Sequence, residues 1–218
     1  MTPEAFDAEW SARLASIAMR AMHGSDPAHD EAHVRRVTAN ARFLAEKEGG
    51  SVHIAVPAAL LHELFNYPKD HPESHRSGEL CAVRATAVLH EVSYPTAWIE
   101  PVAYCIRVHG FARGIVPETL EAKVLQDADR LDAIGAIGIA RLFATCASMG
   151  RPFYRSDDPF CETREPDDRQ WGVDHFYRKL LRIHESLHTP TARALGAERM
   201  TFMQTYLAQL RSEITPGE

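Results

Sequence analysis

A histidine and a glutamate, His62 and Glu63, stand together near the end of the apolar segment AVPAALLHELF, residues 55–65. The apolar residues of this segment surround the helix instead of forming one stripe, a pattern typical of a buried helix. A buried, ionised carboxylate is costly unless it is paired with a charge or binds a metal. The pair therefore predicts a bound partner within the core.

Other polar residues also occupy positions that should face the core. His33 shares a helical face with Val37, Ala41 and Leu44, and the segment QDADRLD at 126–132 places three aspartates in an apolar stretch. Two histidines, the acid of the pair and an aspartate on separate helices form a mixed nitrogen and oxygen ligand set. Such a set suits manganese, iron, cobalt, nickel or magnesium better than a structural zinc, and we expect one divalent metal ion.

The three aspartates of QDADRLD cannot all face one site. Asp127 and Asp129 are two residues apart, about 200° around a helix, so they face nearly opposite ways. Asp129 and Asp132 are three residues apart and share a face. Geometry alone leaves open whether Asp127 or Asp129 faces the site.

The composition is that of one folded domain. Of 218 residues, 45% are hydrophobic, which is enough for one well-filled core, and we predict a single domain over residues 1–218. The formal net charge of −6 provides no basic field of the kind that draws proteins to duplex nucleic acid, so nucleic acid is not an expected partner. A nucleotide is compatible with this charge.

The cysteines and the apolar windows indicate the compartment. Four cysteines are scattered without a CxxC pair, which is typical of reduced core residues in a cytosolic protein: Cys81, Cys105, Cys146 and Cys161. The N-terminal sequence MTPEAFDAEW lacks the basic start and apolar core of a signal peptide. No window approaches the roughly 18 continuous apolar residues of a membrane span. We therefore expect a cytoplasmic protein that binds no membrane.

Helical periodicity dominates the chain and nothing indicates a strand series, so the predicted architecture is all-α. Glycine and proline mark the expected helix ends, and Gly135 and Gly138 suggest close helix packing more than a phosphate loop. A charged loop is expected over residues 150–171. The core motif region spans about 30–135 and the C-terminal helices about 172–214. The predicted helices are about 3–22, 31–48, 52–65, 77–92, 95–109, one from 117 that carries QDADRLD, 173–187 and 191–214.

The order of His33, His62 with Glu63, and Asp129 within ADRL resembles the H...HD...D motif of the HD-domain metal-dependent phosphohydrolases. The segments NYPKDHP, VHGF, QDADRLDAIGAIGIARLF, DDPF and DHFYRKLL are similar to the bacterial YedJ/YpgQ branch, and the resemblance extends over about residues 30–210. It implies an HD-domain helical bundle in which these four residues are the metal ligands. It also favours Asp129 over Asp127, which is left as a cap or a surface ion pair.

The resemblance departs at Glu63, where the family motif has aspartate. Glutamate binds the same hard metals, but its extra methylene must be absorbed by a shift of the main chain or the rotamer. A displacement of about 1 Å can cost on the order of 100-fold in rate. Activity is therefore more sensitive to this difference than metal binding.

The resemblance implies hydrolysis of nucleoside triphosphates to the monophosphate and pyrophosphate, with Glu63, Asp129 and His109 as catalytic residues. The metal would lower the pKa of a water and polarise the phosphorus. His109 precedes Gly110 at a helix end, where a dipole contact alone would explain it. Its match to the HG position of the branch supports a role in proton transfer.

Cations near His62 and Glu63 are candidates for substrate binding. Lys69 and Arg76 lie in the loop that follows, and cationic donors beside a divalent ion can hold the oxygens of a polyphosphate. Arg36, one turn after His33, is a further candidate, with a structural ion pair as the equal alternative. Asp132 is a possible substrate or outer-shell contact. The acidic loop with Asp157, Asp158, Asp167 and Asp168 is expected to be a solvated surface without a metal.

Three other functions fit the same residues. One is a phosphatase for mononucleotides or other phosphomonoesters. Another is a nucleotide sensor in which Glu63 has blunted the chemistry, and the third is a di-iron HD oxygenase that uses His90 and His109. Base and sugar preference, native metal, the choice between monomer and homodimer, and closure of the 150–171 loop over substrate all stay open.

Overall fold

The computed structural model describes residues 3–21, 30–67, 71–110 and 114–215. These residues form helices and turns without a strand, so the all-α prediction is confirmed. A π-helical turn, Asp7–Ser11, joins α1 to α2, and 3₁₀ turns cover Ser74–Arg76 and Leu180–Ser186. The α-helices are α1 (Pro3–Phe6), α2 (Ala12–Ala21), α3 (Glu31–Glu48), α4 (Val52–Leu61), α5 (Ser77–Glu91), α6 (Thr96–Val108), α7 (Leu120–Asp132), α8 (Gly135–Ser148), α9 (Asp174–Arg178) and α10 (Pro190–Ile214).

The chain forms two compact units, residues 1–129 and 130–218. The boundary between them falls within α7. Each unit is described by itself below. The expected boundaries 1–218 for a single domain stay a prediction.

In the first unit, α3 packs against α4, and α6 packs against both α4 and α5. The segment 55–61 of α4 is buried throughout, which confirms the prediction of a core helix. Helices α5 and α6 come close at Gly78, where an added Cβ would lie 2.9 Å from the carbonyl oxygen of Arg107. Only glycine permits this approach without a shift of the main chain.

Helix α3 begins and ends where its sequence predicts. The side chain of Asp30 accepts a hydrogen bond from the main-chain N–H of His33, as expected of an N-cap. Gly49 closes the helix in the left-handed region, with φ of 77°, and its N–H donates to the carbonyl of Ala45. These caps set the position of His33 in the first turn.

Helix α4 ends at Leu61, so the predicted end at Phe65 was wrong. The thiol of Cys81 on α5 donates to the carbonyl oxygens of Leu61 and His62, at 3.3 and 3.1 Å. The N–H of Leu64 donates a hydrogen bond to the carbonyl of Leu61 at 3.2 Å, and this bond closes a tight turn. His62 and Glu63 therefore lie in a turn at the helix end.

In the second unit, α8 packs against α10. Gly135 has φ of 76°, and a Cβ on Gly138 would lie 2.3 Å from the carbonyl oxygen of Ala133. Gly138 thus serves a close approach to the preceding turn, whereas its sequence suggested packing between helices. The predicted helix 173–187 was also wrong, because the main chain leaves the helical region at Lys179, between α9 and the 3₁₀ turn.

Among the described residues, no single helix has the length and apolar character needed to cross a membrane, and only the bent pair α7 and α8 meets both criteria when taken together. The cytoplasmic location stays a prediction.

Candidate metal centre

Three side chains that offer lone pairs converge in the first unit. His33, His62 and Asp129 each place one ligand atom within 4.8 Å of the other two, the only such group among the residues that the structure describes. Nε2 of His33 lies 3.6 Å from Oδ1 of Asp129. Two ligands that each lie about 2.1 Å from one ion are at most about 4.2 Å apart, so this distance fits a shared ion.

Glu63 borders this group. Its Oε1 lies 4.0 Å from Nε2 of His33 and 3.8 Å from Nε2 of His62, and its side chain is only 9% exposed. The longer glutamate therefore reaches the same place as the two histidine nitrogens. All four predicted ligands are brought together.

His62 is oriented by its own helix. Its Nδ1 lies 2.7 Å from the carbonyl oxygen of Ala59. Because a carbonyl can only accept, Nδ1 carries the hydrogen and Nε2 keeps its lone pair. Nε2 is buried and makes no hydrogen bond with any residue that the structure describes. A histidine fixed through one nitrogen with the other left open is the usual arrangement of a metal ligand.

Burial lowers the pKa of His62 to about 4, against an opposing effect of the Glu63 carboxylate. Nearby His109 and His33 also lower this pKa. His62 is therefore neutral near pH 7, the form that binds a metal.

The two aspartates that the helical geometry left open are now distinguished. Asp129 lies in the ligand group, with a side chain that is 29% exposed. Asp127 is fully buried in the middle of α7. The prediction of a cap or a surface ion pair for Asp127 was therefore wrong.

His109 lies beside His62, with the two rings edge-on at 5.3 Å between centroids. It follows the last residue of α6, and its Nδ1 lies 2.5 Å from the carbonyl oxygen of Ile106. This repeats the bond between His62 and Ala59 and leaves Nε2 as the exchangeable position. The other histidine of the oxygenase alternative, His90, is exposed near the end of α5 and does not join the group.

Helix α5 supports the turn that carries His62 and Glu63. Burial raises the pKa of the Cys81 thiol to about 12, so it stays protonated and donates to the turn carbonyls. The guanidinium of Arg84 lies 4.2 Å above the ring of Phe65. Sequence reasoning missed Cys81, because a cysteine in an apolar helix carries no sign of its partner.

Gln126 was also missed. It is fully buried on α7, and its amide donates to the carbonyl oxygens of Val108 and Ile115. Its signal was present in QDADRLD, where an uncharged polar residue stands three positions before Asp129 and shares its helical face.

The residues that were predicted to bind substrate lie in different surroundings. Lys69 lies outside the described residues. Arg76 is exposed and pairs with Glu73 at 2.8 Å and Glu79 at 3.9 Å. Arg36 is partly buried on α3.

In the second unit, the buried Asp132 accepts a hydrogen bond from Arg141 at 2.7 Å. Its carboxylate therefore has a structural partner. The substrate roles of Lys69, Arg76, Arg36 and Asp132 stay predictions.

The expectation of a solvated acidic loop was wrong for Asp158. This carboxylate is buried and accepts hydrogen bonds from the N–H groups of Glu162 and Thr163 and from the Thr163 hydroxyl. These two N–H groups lower the pKa of Asp158 to about 2. Its neighbour Asp157 is exposed and pairs with Arg155, as expected of a surface residue.

Comparison with known proteins identifies the family. The HD domain model matches residues 31–134. YpgQ of Bacillus subtilis is 36% identical over 193 residues, which cover 87% of this chain and 85% of YpgQ. The crystal structure of YpgQ in complex with ADP is 31% identical, with a TM-score of 0.75 and 97% of each chain covered.

A crystal structure of an HD-superfamily hydrolase from Bacillus thuringiensis is also 31% identical, with a TM-score of 0.73 over 95% of this chain and 97% of that one. His33, His62, Glu63 and Asp129 all lie within the residues that the HD domain model matches. The chain belongs to the HD-domain superfamily of metal-dependent phosphohydrolases, within its YpgQ-like branch.

Proposed function

We propose that the protein hydrolyses nucleoside or deoxynucleoside triphosphates to the monophosphate and pyrophosphate, with one divalent metal ion held by His33, His62, Glu63 and Asp129. The observation that carries this proposal is the convergence of two histidine nitrogens and two carboxylates in the first unit. The similarity to YpgQ, which was solved with ADP, supports a nucleotide as the substrate.

The residues fit such an ion in charge and in chemistry. Two imidazole nitrogens and two carboxylates form a mixed ligand set of the kind that binds manganese, cobalt, nickel, magnesium or iron. The open lone pair of the buried His62 Nε2 is the sharpest sign of a ligand role. When bound, the ion supplies Lewis-acid activation of the phosphoryl group and lowers the pKa of a water.

The reaction adds the oxygen of water to the α-phosphorus and breaks the bond from this phosphorus to the oxygen that bridges to the β-phosphorus. The water loses a proton, and pyrophosphate leaves. His109 exchanges protons at Nε2, because its Nδ1 is committed to the carbonyl of Ile106. The ring of His109 lies edge-on to that of His62 and is therefore next to the ligand cluster.

The cations of the following loop bind the outer phosphates in this proposal. Arg76 is 45% exposed and held by Glu73 and Glu79, so it must exchange these pairs for substrate. Because solvent screens exposed ion pairs, breaking these two pairs costs little free energy. Lys69 and Arg36 are proposed for the same task.

The test is the release of phosphate and pyrophosphate from a panel of nucleoside tri-, di- and monophosphates. The protein is stripped with a chelator and reloaded in turn with manganese, cobalt, nickel, magnesium or, under nitrogen, iron. Pyrophosphate release that depends on the metal supports the proposal. Phosphate release from monophosphates alone would show a phosphomonoesterase.

Two further outcomes contradict hydrolysis altogether. Nucleotide binding without turnover under any metal would show a sensor, and two bound irons with oxygen consumption would show an oxygenase. Glu63→Gln and Glu63→Asp form a matched pair for the same assay. Because Glu63 reaches both histidines, we expect the carboxylate of Glu63→Asp to retain more activity than the amide of Glu63→Gln.

A further inference from the structure

Gln126 is a buried amide whose two donor contacts both go to the main chain around His109. Its Nε2 lies 2.7 Å from the carbonyl oxygen of Val108 and 2.9 Å from that of Ile115. An amide nitrogen has two hydrogens, so both are used in these bonds. In the sequence, Val108 directly precedes His109, and Ile115 follows it by six residues.

The bond to Val108 acts directly on His109. The carbonyl of Val108 and the N–H of His109 belong to one planar peptide group, so holding one end fixes the other. The ring is held separately, through Nδ1 and the carbonyl of Ile106. The carbonyl of Ile106 also accepts from the main-chain N–H of His109. Gln126 and Ile106 therefore fix the main chain at His109 together, and Ile106 also orients the ring.

The position of Gln126 on α7 links His109 to the ligand cluster. Gln126 and Asp129 are three residues apart on one helix, so they share a face. Asp129 contacts His33, while Gln126 holds the peptide that precedes His109. Helix α7 thus carries both a carboxylate of the metal centre and the amide that holds the peptide before His109.

We propose that Gln126 is a positioning residue, which keeps the Nε2 of His109 beside the metal centre for proton transfer. This inference rests on the role given to His109 in the proposed function. Gln126 does not contact the reacting groups in this proposal and acts only through His109. A solely structural amide would satisfy the same two carbonyls without any coupling to that histidine.

The kinetic test is a double-mutant cycle on the metal-loaded protein. Gln126→Met removes both donors and keeps the length of the side chain. We expect kcat to fall between about 10- and 100-fold, with KM and metal stoichiometry nearly unchanged. In a His109→Gln background the same substitution should change kcat by less than about twofold. Equal losses in both backgrounds would overturn the proposal.

Glu121→Gln is the matched control. Glu121 lies on the same helix and accepts a hydrogen bond from the N–H of Ser51 at 2.9 Å, away from His109. It therefore tests the loss of another bond between this helix and the main chain. We expect no difference between its effects in the two His109 backgrounds.

A second readout does not depend on activity. Long-range proton–nitrogen spectra of labelled protein report which ring nitrogen of His109 is protonated, with His109→Gln to assign the signals. We expect a single Nδ1–H form in the parent and exchange-broadened or mixed forms in Gln126→Met. Unchanged His109 signals would overturn the proposal.

Gln126→Asn keeps the amide but is one methylene shorter, and it serves if Gln126→Met does not fold. We expect an intermediate loss of kcat and an intermediate change of the His109 signals. Failure of the proposed function would appear as a parent protein that hydrolyses no nucleotide. The spectra would still decide the role of Gln126 in that case.

Discussion

The two units each contain a buried polar cluster, and the two clusters are built in opposite ways. In the second unit, Arg164 makes a two-pronged contact with the buried carboxylate of Asp174 and also donates to the carbonyl of Asp158. Asp174 accepts a further bond from the N–H of Asp167 at 2.7 Å. Opposite charges and donors are thus matched within the cluster.

The cluster of the first unit gathers groups of one kind. His33, His62, Glu63 and Asp129 all bring lone pairs to one place. Nε2 of His33 lies 3.6 Å from Asp129, and Oε1 of Glu63 lies 3.8 Å from Nε2 of His62 and 4.0 Å from Nε2 of His33. None of these is a hydrogen-bond distance. A cluster of matched charges stabilises the folded state. A cluster of converging acceptors is instead suited to binding a cation from outside the chain.

The largest effect is expected from breaking the cluster of acceptors. His62→Ala should abolish metal binding and phosphohydrolase activity together, because it removes the nitrogen with the open lone pair. Metal content by mass spectrometry and the phosphate release assay check this. His90→Ala, which changes an exposed histidine, should leave both within about twofold. A His62→Ala protein that kept metal and activity would contradict the ligand assignment.

Breaking the matched cluster should cost stability. Asp174→Asn removes the nearer charged partner of the largely buried guanidinium of Arg164 and leaves only the carboxylate of Asp158, 3.9 Å away. We expect the free energy of unfolding to fall by about 3 kcal/mol, as for other broken buried ion pairs. Urea denaturation measures this, and metal stoichiometry of the folded variant should stay at the parent value. A loss of metal without a loss of stability would reverse the roles given to the two clusters.

The matched cluster should also make the protein sensitive to acid. The pKa of Asp158 falls from its ordinary value of 3.8 to about 2, through the N–H groups of Glu162 and Thr163. Between these values the unfolded chain binds more protons at this site than the folded one. Stability from Asp158 is therefore complete above pH 4 and is lost as the pH falls towards 2. Denaturation of Asp158→Asn should show a shallower loss over that window, and an unchanged slope would contradict this.

The smallest effect on stability is expected at Asp157, the residue before Asp158. Asp157 is 62% exposed and pairs with Arg155 on the surface. Asp157→Asn should leave the free energy of unfolding nearly unchanged, because solvent screens exposed ion pairs. The same urea experiment checks this. A change as large as that of Asp174→Asn would show that burial does not determine how much an ion pair contributes to stability.

Local signals predicted much of the first unit. Both ends of α3 were predicted correctly, because each cap, Asp30 and Gly49, forms its hydrogen bond with a residue of the helix end beside it. The apolar run of α4 predicted its burial, and the motif order predicted four side chains that lie close together in the structure.

These errors arise from contacts that leave no periodic pattern in the sequence. At the end of α4, the carbonyl of Leu61 accepts a hydrogen bond from the thiol of Cys81, which lies 20 residues further along the chain. Asp158 is buried because loop N–H groups surround it. No periodicity records such contacts, so the end of α4 and the folding of the acidic loop could not be predicted from the pattern.

His62 and His109 each bond through Nδ1 to the carbonyl three residues earlier, in the last turn of the preceding helix. Both bonds are local, so they can form as soon as that turn forms, before distant parts of the chain meet. Helical turns form in well under a millisecond, whereas tertiary assembly is slower. Because the hydrogen of each ring is already on Nδ1, the binding of a metal at Nε2 of His62 requires no proton to move from one ring nitrogen to the other.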